Sequence, residues 1–292
     1  MAFISLCSGH ALGQAPGAAS LWRVTAASLT TPPSLETGPA GLNWNPAAPL
    51  DRSKLSASAH LVQTSDVIGL SAILASVSRS VGETARIGLS GGRVDVRDLV
   101  RTTTSPTSVG TIPVYEQFLG LAGQYVFRGL VVGGLARLHD ARFNLEHNQG
   151  FTFDLGARFQ ASSRLVVAAA THFLAIELNG RESTDYYAGA EYVATPNMHI
   201  GRVAAEVLVR YGATFCASEK LEHMFGGGLK VGDHFQLDAS VVREAGFESA
   251  GWRPAIAVSV RVGRYQLGLA RSSGLNDLGA TYRIGLDATL IR

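Results

Sequence analysis

The residues able to do chemistry in this chain are spread along it rather than gathered in one motif. Arg86, Asp154, Arg158, Asp185, Glu191, Arg202, Glu206, Arg210, Asp238, Arg261, Arg283 and Asp287 lie in segments where polar and apolar residues alternate. Their signs are mixed. Neighbours such as Arg158, Asp185, Arg202 and Glu206 are expected to pair into networks that tune permeation through a wet interior or form a structural lattice satisfying buried charge. Catalysis finds no constellation. Ser90-Gly91-Gly92 and Gly226-Gly227-Gly228 lack the lysine and the strand-turn-helix context of a phosphate loop. His60, His139, His172 and His223 have no serine partner at a readable spacing, and Cys7 and Cys216 form no ligand cluster with the histidines. The expectation is no catalytic residue, no metal, no cofactor and no enzyme.

Composition narrows the class of element that holds these residues. Of 292 residues 33 are glycine, well above the ~7% of an average chain. Charged residues make up 16%, against ~25% in a typical soluble domain, and hydrophobic ones 46%. This excludes intrinsic disorder, and aperiodic glycine with only 10 prolines excludes collagen. A net charge of +2 without a basic stripe gives no reason to expect nucleic acid. No run of 18 apolar residues can cross a membrane as a helix; the nearest, 165–178, is interrupted by Thr171, His172 and Glu177.

The dominant period is two, not 3.6, from about residue 54 onward. Phe151, Phe153, Leu155, Ala157 and Phe159 oppose Thr152, Asp154, Gly156, Arg158 and Gln160. Tyr282, Ile284, Leu286, Ala288 and Leu290 oppose Thr281, Arg283, Gly285, Asp287 and Thr289. About 14 such strands are expected: 54–62, 67–79, 84–96, 115–127, 130–144, 151–160, 164–178, 184–194, 199–212, 219–232, 234–245, 251–263, 265–272 and 279–291. Short turns such as Arg128-Gly129 and Gly263-Arg264 make neighbours antiparallel. A meander this long leaves two unpaired edges unless it closes, and a closed ring of that size is too wide for side chains alone to fill. Its interior can then be polar and its exterior apolar, an inversion that suits a lipid bilayer. The sequence therefore predicts an all-β fold, a transmembrane antiparallel up-and-down β-barrel. A soluble β-sandwich is the rival, but it calls for more Lys and Glu than the polar faces carry. Tyr115, Phe127, Tyr186, Tyr192, Tyr211 and Tyr282 fall near strand ends, where an aromatic belt sits.

Ahead of the strands, residues 1–15 read as the remnant of a signal peptide without its basic start, or as a disordered N-terminus. Residues 16–53 read as an N-terminal periplasmic or plug segment, and 54–292 as the barrel. The run Gly38-Pro39-Ala40-Gly41-Leu42-Asn43-Trp44-Asn45-Pro46-Ala47-Ala48 resembles the segment before the first strand in PorV/PorQ-like outer-membrane proteins, part of the FadL-type transporter superfamily. Trp44, Asn45, Pro46 and Ala47 carry the likeness; Ala48-Pro49-Leu50 departs from the Pro-Ala-Gly-Leu with which that family continues.

The resemblance implies a 14-stranded barrel with this motif tucked into its periplasmic side and Trp44 anchored in the lumen with its indole N–H satisfied. A surface turn with one buried tryptophan accounts for the same residues. The resemblance also implies transport of hydrophobic small molecules across the outer membrane or, alternatively, a scaffold or shuttle role in type IX-like protein secretion. The expected surroundings are outer-membrane lipid with a hydrophobic small molecule or an exported protein, and the expected location is the bacterial outer membrane. The connection from Arg97 to Val114, polar at Thr102-Thr103-Thr104, is the candidate lid or rim.

Overall fold

The computed structural model describes residues 18–49, 55–66, 68–97, 99–102, 108–175, 184–196, 198–216, 221–245, 250–274 and 279–291. The expected signal remnant, 1–15, lies outside them. Fourteen strands form the ring: β1 (Leu55–Gln63), β2 (Leu70–Val81), β3 (Ala85–Val96), β4 (Val114–Phe127), β5 (Leu130–Phe143), β6 (Glu146–Gln160) and β7 (Leu165–Ala175). They continue with β8 (Asp185–Val193), β9 (Val203–Cys216), β10 (Glu222–Val231), β11 (Phe235–Ala245), β12 (Ala250–Val262), β13 (Tyr265–Ser273) and β14 (Ala280–Ile291). Every strand pairs antiparallel with its neighbours in sequence, and β1 closes on β14 with Leu61 opposite Ile284.

The two faces of the wall are inverted relative to a soluble protein. Leu61, Ile73, Leu119, Leu121, Leu155 and Ile284 are half or more exposed on the outside. Serines are buried on the inside, where Ser56 meets Ser78 at 2.9 Å and Ser58 meets Ser76 at 2.6 Å across β1 and β2. No described helix is long and apolar enough to cross a membrane, so the crossing falls to strands of 9–15 residues. About 9–11 tilted residues are enough to cross the hydrocarbon.

Chain direction sets two unlike rims. One holds the ring's first and last residues and mostly tight turns, such as Arg128-Gly129, whose φ values of 44° and 85° give the primed hairpin geometry that matches strand twist. The other holds the longer connections after β3, β7, β9, β11 and β13. Outer-membrane barrels keep short turns in the periplasm and longer loops outside, which orients this ring.

Two strand starts differ most from the sequence reading. The strand expected over 199–212 begins at Val203, because Gly201 (φ 64°) turns the chain and Met198–Ile200 folds back onto Val203–Ala205. The strand expected from 151 begins at Glu146, where Glu146 to Gln149 are exposed on both faces and so show no alternation to read. The 97–113 connection carries a small hairpin, Val100–Thr102 against Ser108–Thr111, with 103–107 outside the described residues.

Candidate functional site

What fills the ring is the chain's own N-terminal segment. Helix α1 (Ala18–Ala26) is followed by a 3-10 turn at Pro33–Leu35 and helix α2 (Gly38–Gly41), with a proline in the first turn of each of the last two. The segment makes contacts around the ring, from β1 and β2 through β7 and β8 to β14.

Its most specific seat belongs to the Trp44-Asn45-Pro46-Ala47 run. Gly133 on β5 and Gly156 on β6 are cross-strand partners, and a side chain on either would collide with Asn45, Pro46 or Ala47. Gln124, opposite Gly133 on β4, donates Nε2–H to the carbonyls of Pro46 (2.5 Å) and Ala48 (2.9 Å). Asn45 holds the turn closed, donating to Ser34 C=O at 2.6 Å and accepting the Ala47 N–H at 2.8 Å. Trp44 is buried against the His172 ring at 5.8 Å. Its indole N–H has no acceptor among the described residues, contrary to the expected anchor bond.

Beside this seat lies a buried polar centre. Arg137 on β5 donates to Asp154 on β6 at 2.5 Å and to Asn43 C=O at 2.8 Å, with its guanidinium 4.2 Å from the Phe118 ring. Asp154 also accepts the backbone N–H of Phe173 at 2.9 Å, where β7 bulges and Phe173 takes φ 61°. His172 reaches Asn43 C=O at 3.1 Å. His139 sits between Glu116 and Thr152 at 3.3 and 2.7 Å.

The lumen holds both an apolar patch and buried charges. Toward the longer-loop rim Trp22, Leu29 and Trp44 pack against Val62, Leu70, Ala72, Leu74, Val94, Phe118 and Phe173, an apolar patch of inner wall with Arg137 and His139 at its border. Trp22 meets Phe118 edge-on at 4.9 Å. Charged pairs stand elsewhere on the inner wall, one of them at the same height, since Arg283 is the cross-strand partner of Val62. Arg210 bridges Glu191 at 2.6 Å and Asp238 at 2.5 Å. Arg283 donates to His60 at 3.0 Å, and His60 stands 3.4 Å from Asp287. Glu36, on the segment, faces this set. Its burial pushes the carboxyl up to about 7, against the lowering pull of Arg283 and Arg210 and with a further push from Asp238 and Asp287.

The grouping expected of Arg158, Asp185, Arg202 and Glu206 is not the one observed. Arg158 donates to Leu35 C=O at 3.1 Å and Asp185 binds Arg23 at 2.8 Å, both partners being on the segment. Arg202 is exposed in the turn before β9, and Glu206 is half-buried opposite Lys230. Arg86 is half-buried on the inward parity of β3, and Arg261 is exposed near the short-turn rim, donating to Gln266 at 2.7 Å. The lumen candidates read from sequence omit Arg137, Glu116 and His139, although all three sit on the inward parity of their strands, and Arg253, which donates to Ala27 C=O. Among the described residues no group of three or more His, Cys, Asp or Glu is placed to hold a metal ion.

No protein-family model matches this sequence, and no curated protein matches it. Solved structures do match in fold. The outer-membrane protein Omp33 of Acinetobacter baumannii superposes with a TM-score of 0.50 at 10% identity, over 81% of this chain and 97% of that one. A porin mutant from Rh. blastica matches with a TM-score of 0.45 at 11% identity, over 80% of this chain and 98% of that one. The fold is that of bacterial outer-membrane barrels. Within it, this chain combines an apolar patch of inner wall, buried charge pairs and a segment hydrogen-bonded to that wall.

Proposed function

We propose that this outer-membrane barrel passes hydrophobic small molecules and that residues 18–49 occlude its resting state. The observation carrying this reading is the apolar patch of inner wall near the longer-loop rim, formed by Val62, Leu70, Leu74, Val94, Phe118 and Phe173. An aqueous diffusion pore gains nothing from such a lining, whereas an apolar solute leaving water does. Helix α1 occupies that lining with Trp22, as an apolar solute would. A shallow apolar groove of about 510 Å³ on the outer wall, lined by Leu155, Ala157, Ala169, Tyr186 and Phe215, offers a second greasy surface beside the Gly156 seat. The likeness of the Trp44-Asn45-Pro46-Ala47 run to PorV/PorQ-like and FadL-type proteins agrees with this reading.

A second reading, a scaffold or shuttle for exported proteins, draws on the same likeness and on the filled lumen, since a barrel used as a docking body needs no conduit. Uptake by cells with and without the chain separates the two. Radiolabelled toluene is expected to enter faster with the chain present and a pentose is not. Entry of both would mean a general diffusion pore. Entry of neither would overturn transport in favour of the scaffold.

A further inference from the structure

On the outward face of β11 to β14 the described side chains are apolar or aromatic except Arg243, Arg271 and Ser273, the last residue of β13, so the two arginines are its only described charges. Each arginine stands two residues inside the end of its strand, on the rim with the longer connections. Each has an aromatic residue directly across from it on the next strand: Arg243 opposite Trp252, and Arg271 opposite Tyr282. Trp252 and Tyr282 are exposed, at 58% and 47%, as residues of an aromatic girdle would be.

Neither arginine has a hydrogen-bond or ion-pair partner among the described residues, and that outward face offers them no carboxylate. The contrast lies on the same rim across the ring. Arg93 is clamped by Asp95 at 2.7 Å and by Gln117 at 3.0 Å, and Arg142 donates to Asn144 C=O at 3.1 Å. Where the wall itself neutralises or caps an outward arginine, it does so with near neighbours. On β11 and β13 it leaves the charge to the surroundings.

A guanidinium held at the edge of hydrocarbon is costly unless its head reaches the interface and finds an anion there. Its planar donors match phosphate oxygens in pairs, which an ammonium does not do. We infer that Arg243 and Arg271 seat the phosphate groups of a phosphorylated glycolipid in the outer leaflet, with Trp252 and Tyr282 packing beside its sugar and upper acyl chains. By strand register the two arginine backbones stand four residues apart along β12 and two strands apart across it. That separation is about 17 Å, so the arginines engage separate groups rather than one shared oxygen.

The test uses the full chain extracted in mild detergent and offered equal amounts of lipid A and enzymatically dephosphorylated lipid A, with retention read by native mass spectrometry. Lipid A is expected to be retained at least about tenfold better, as charge-assisted hydrogen bonds to two phosphates imply. Arg243→Gln with Arg271→Gln is expected to bring retention down to the dephosphorylated level, while Arg93→Gln changes nothing. Equal retention of the two lipids by the unmodified chain overturns the proposal whether or not the double variant folds. So does an unchanged double variant that keeps its heat-modifiable migration. Displacement of lipid A by millimolar inorganic phosphate would reassign the arginines to a soluble anion and overturn the lipid.

Discussion

Two glycines decide where the N-terminal segment sits. Gly133 and Gly156 face each other on adjacent strands and lie against Asn45, Pro46 and Ala47, so the hollow exists only because neither has a side chain. Forcing volume into a closed contact of this kind costs about 1–3 kcal/mol. Gly156→Leu is therefore expected to unseat residues 43–48 while the ring persists, because the ladder between β5 and β6 needs only backbone. Limited proteolysis checks it: the variant should be cut within 18–49 while the barrel keeps its heat-modifiable migration, and the unmodified chain should resist. Equal resistance in both would show that the segment is held by its other bonds, such as Arg253 to Ala27 and Arg23 to Asp185.

At the scale of elements, the weak point of the wall is the bulge on β7. Asp154 there holds the Phe173 N–H and the Arg137 guanidinium together, and all three residues are buried. Removing one partner of a buried pair strands the other, at a cost of about 3–5 kcal/mol, whereas replacing both with apolar residues is often neutral. Asp154→Ala should lower the urea midpoint of the refolded protein, and Asp154→Leu with Arg137→Leu should recover much of the loss. If the double variant is as unstable as the single, the bulge is held by the Phe173 bond rather than by the ion pair. The same bulge shows what alternation can and cannot reveal. Period-two patterning located the ring strands closely, because each residue there answers to lipid on one side and the lumen on the other. At His172 and Phe173 two consecutive residues turn inward, and parity carries no signal for that. Helix α1 was not legible either, since nine residues give too little helical period and its apolar face makes sense only against Phe118 and Val94. The true ion-pair partners, Arg23 for Asp185 and Arg137 for Asp154, depend on the path of the segment and on strand register, which local sequence does not encode.

Taken as a whole molecule, the barrel holds a body whose seating is expected to depend on protonation. Glu36 rides on the segment near Arg283, Arg210, Asp238 and Asp287, and desolvation there raises its pKa from 4.5 to about 7. Seated, it keeps a proton that an exposed glutamate has already lost, so between those values the seated form binds more protons than the withdrawn one. Its contribution to seating is therefore complete below about 4.5 and is lost as pH rises through about 7. Arg283 and Arg210 moderate the effect by favouring the carboxylate, while Asp238 and Asp287 strengthen it. Single-channel recording in a planar bilayer should show a barrel closed at pH 5, with brief openings whose frequency grows up to about pH 7 and levels off above it. Glu36→Gln, which stays neutral throughout, should hold the barrel closed across that range. Openings equally frequent at both pH values in the unmodified chain, or a Glu36→Gln variant that opens with rising pH as before, would place the control of occlusion elsewhere. The apolar contacts of Trp22 with Phe118 would then be the next to vary, because they hold the segment on the apolar patch and carry no titratable group.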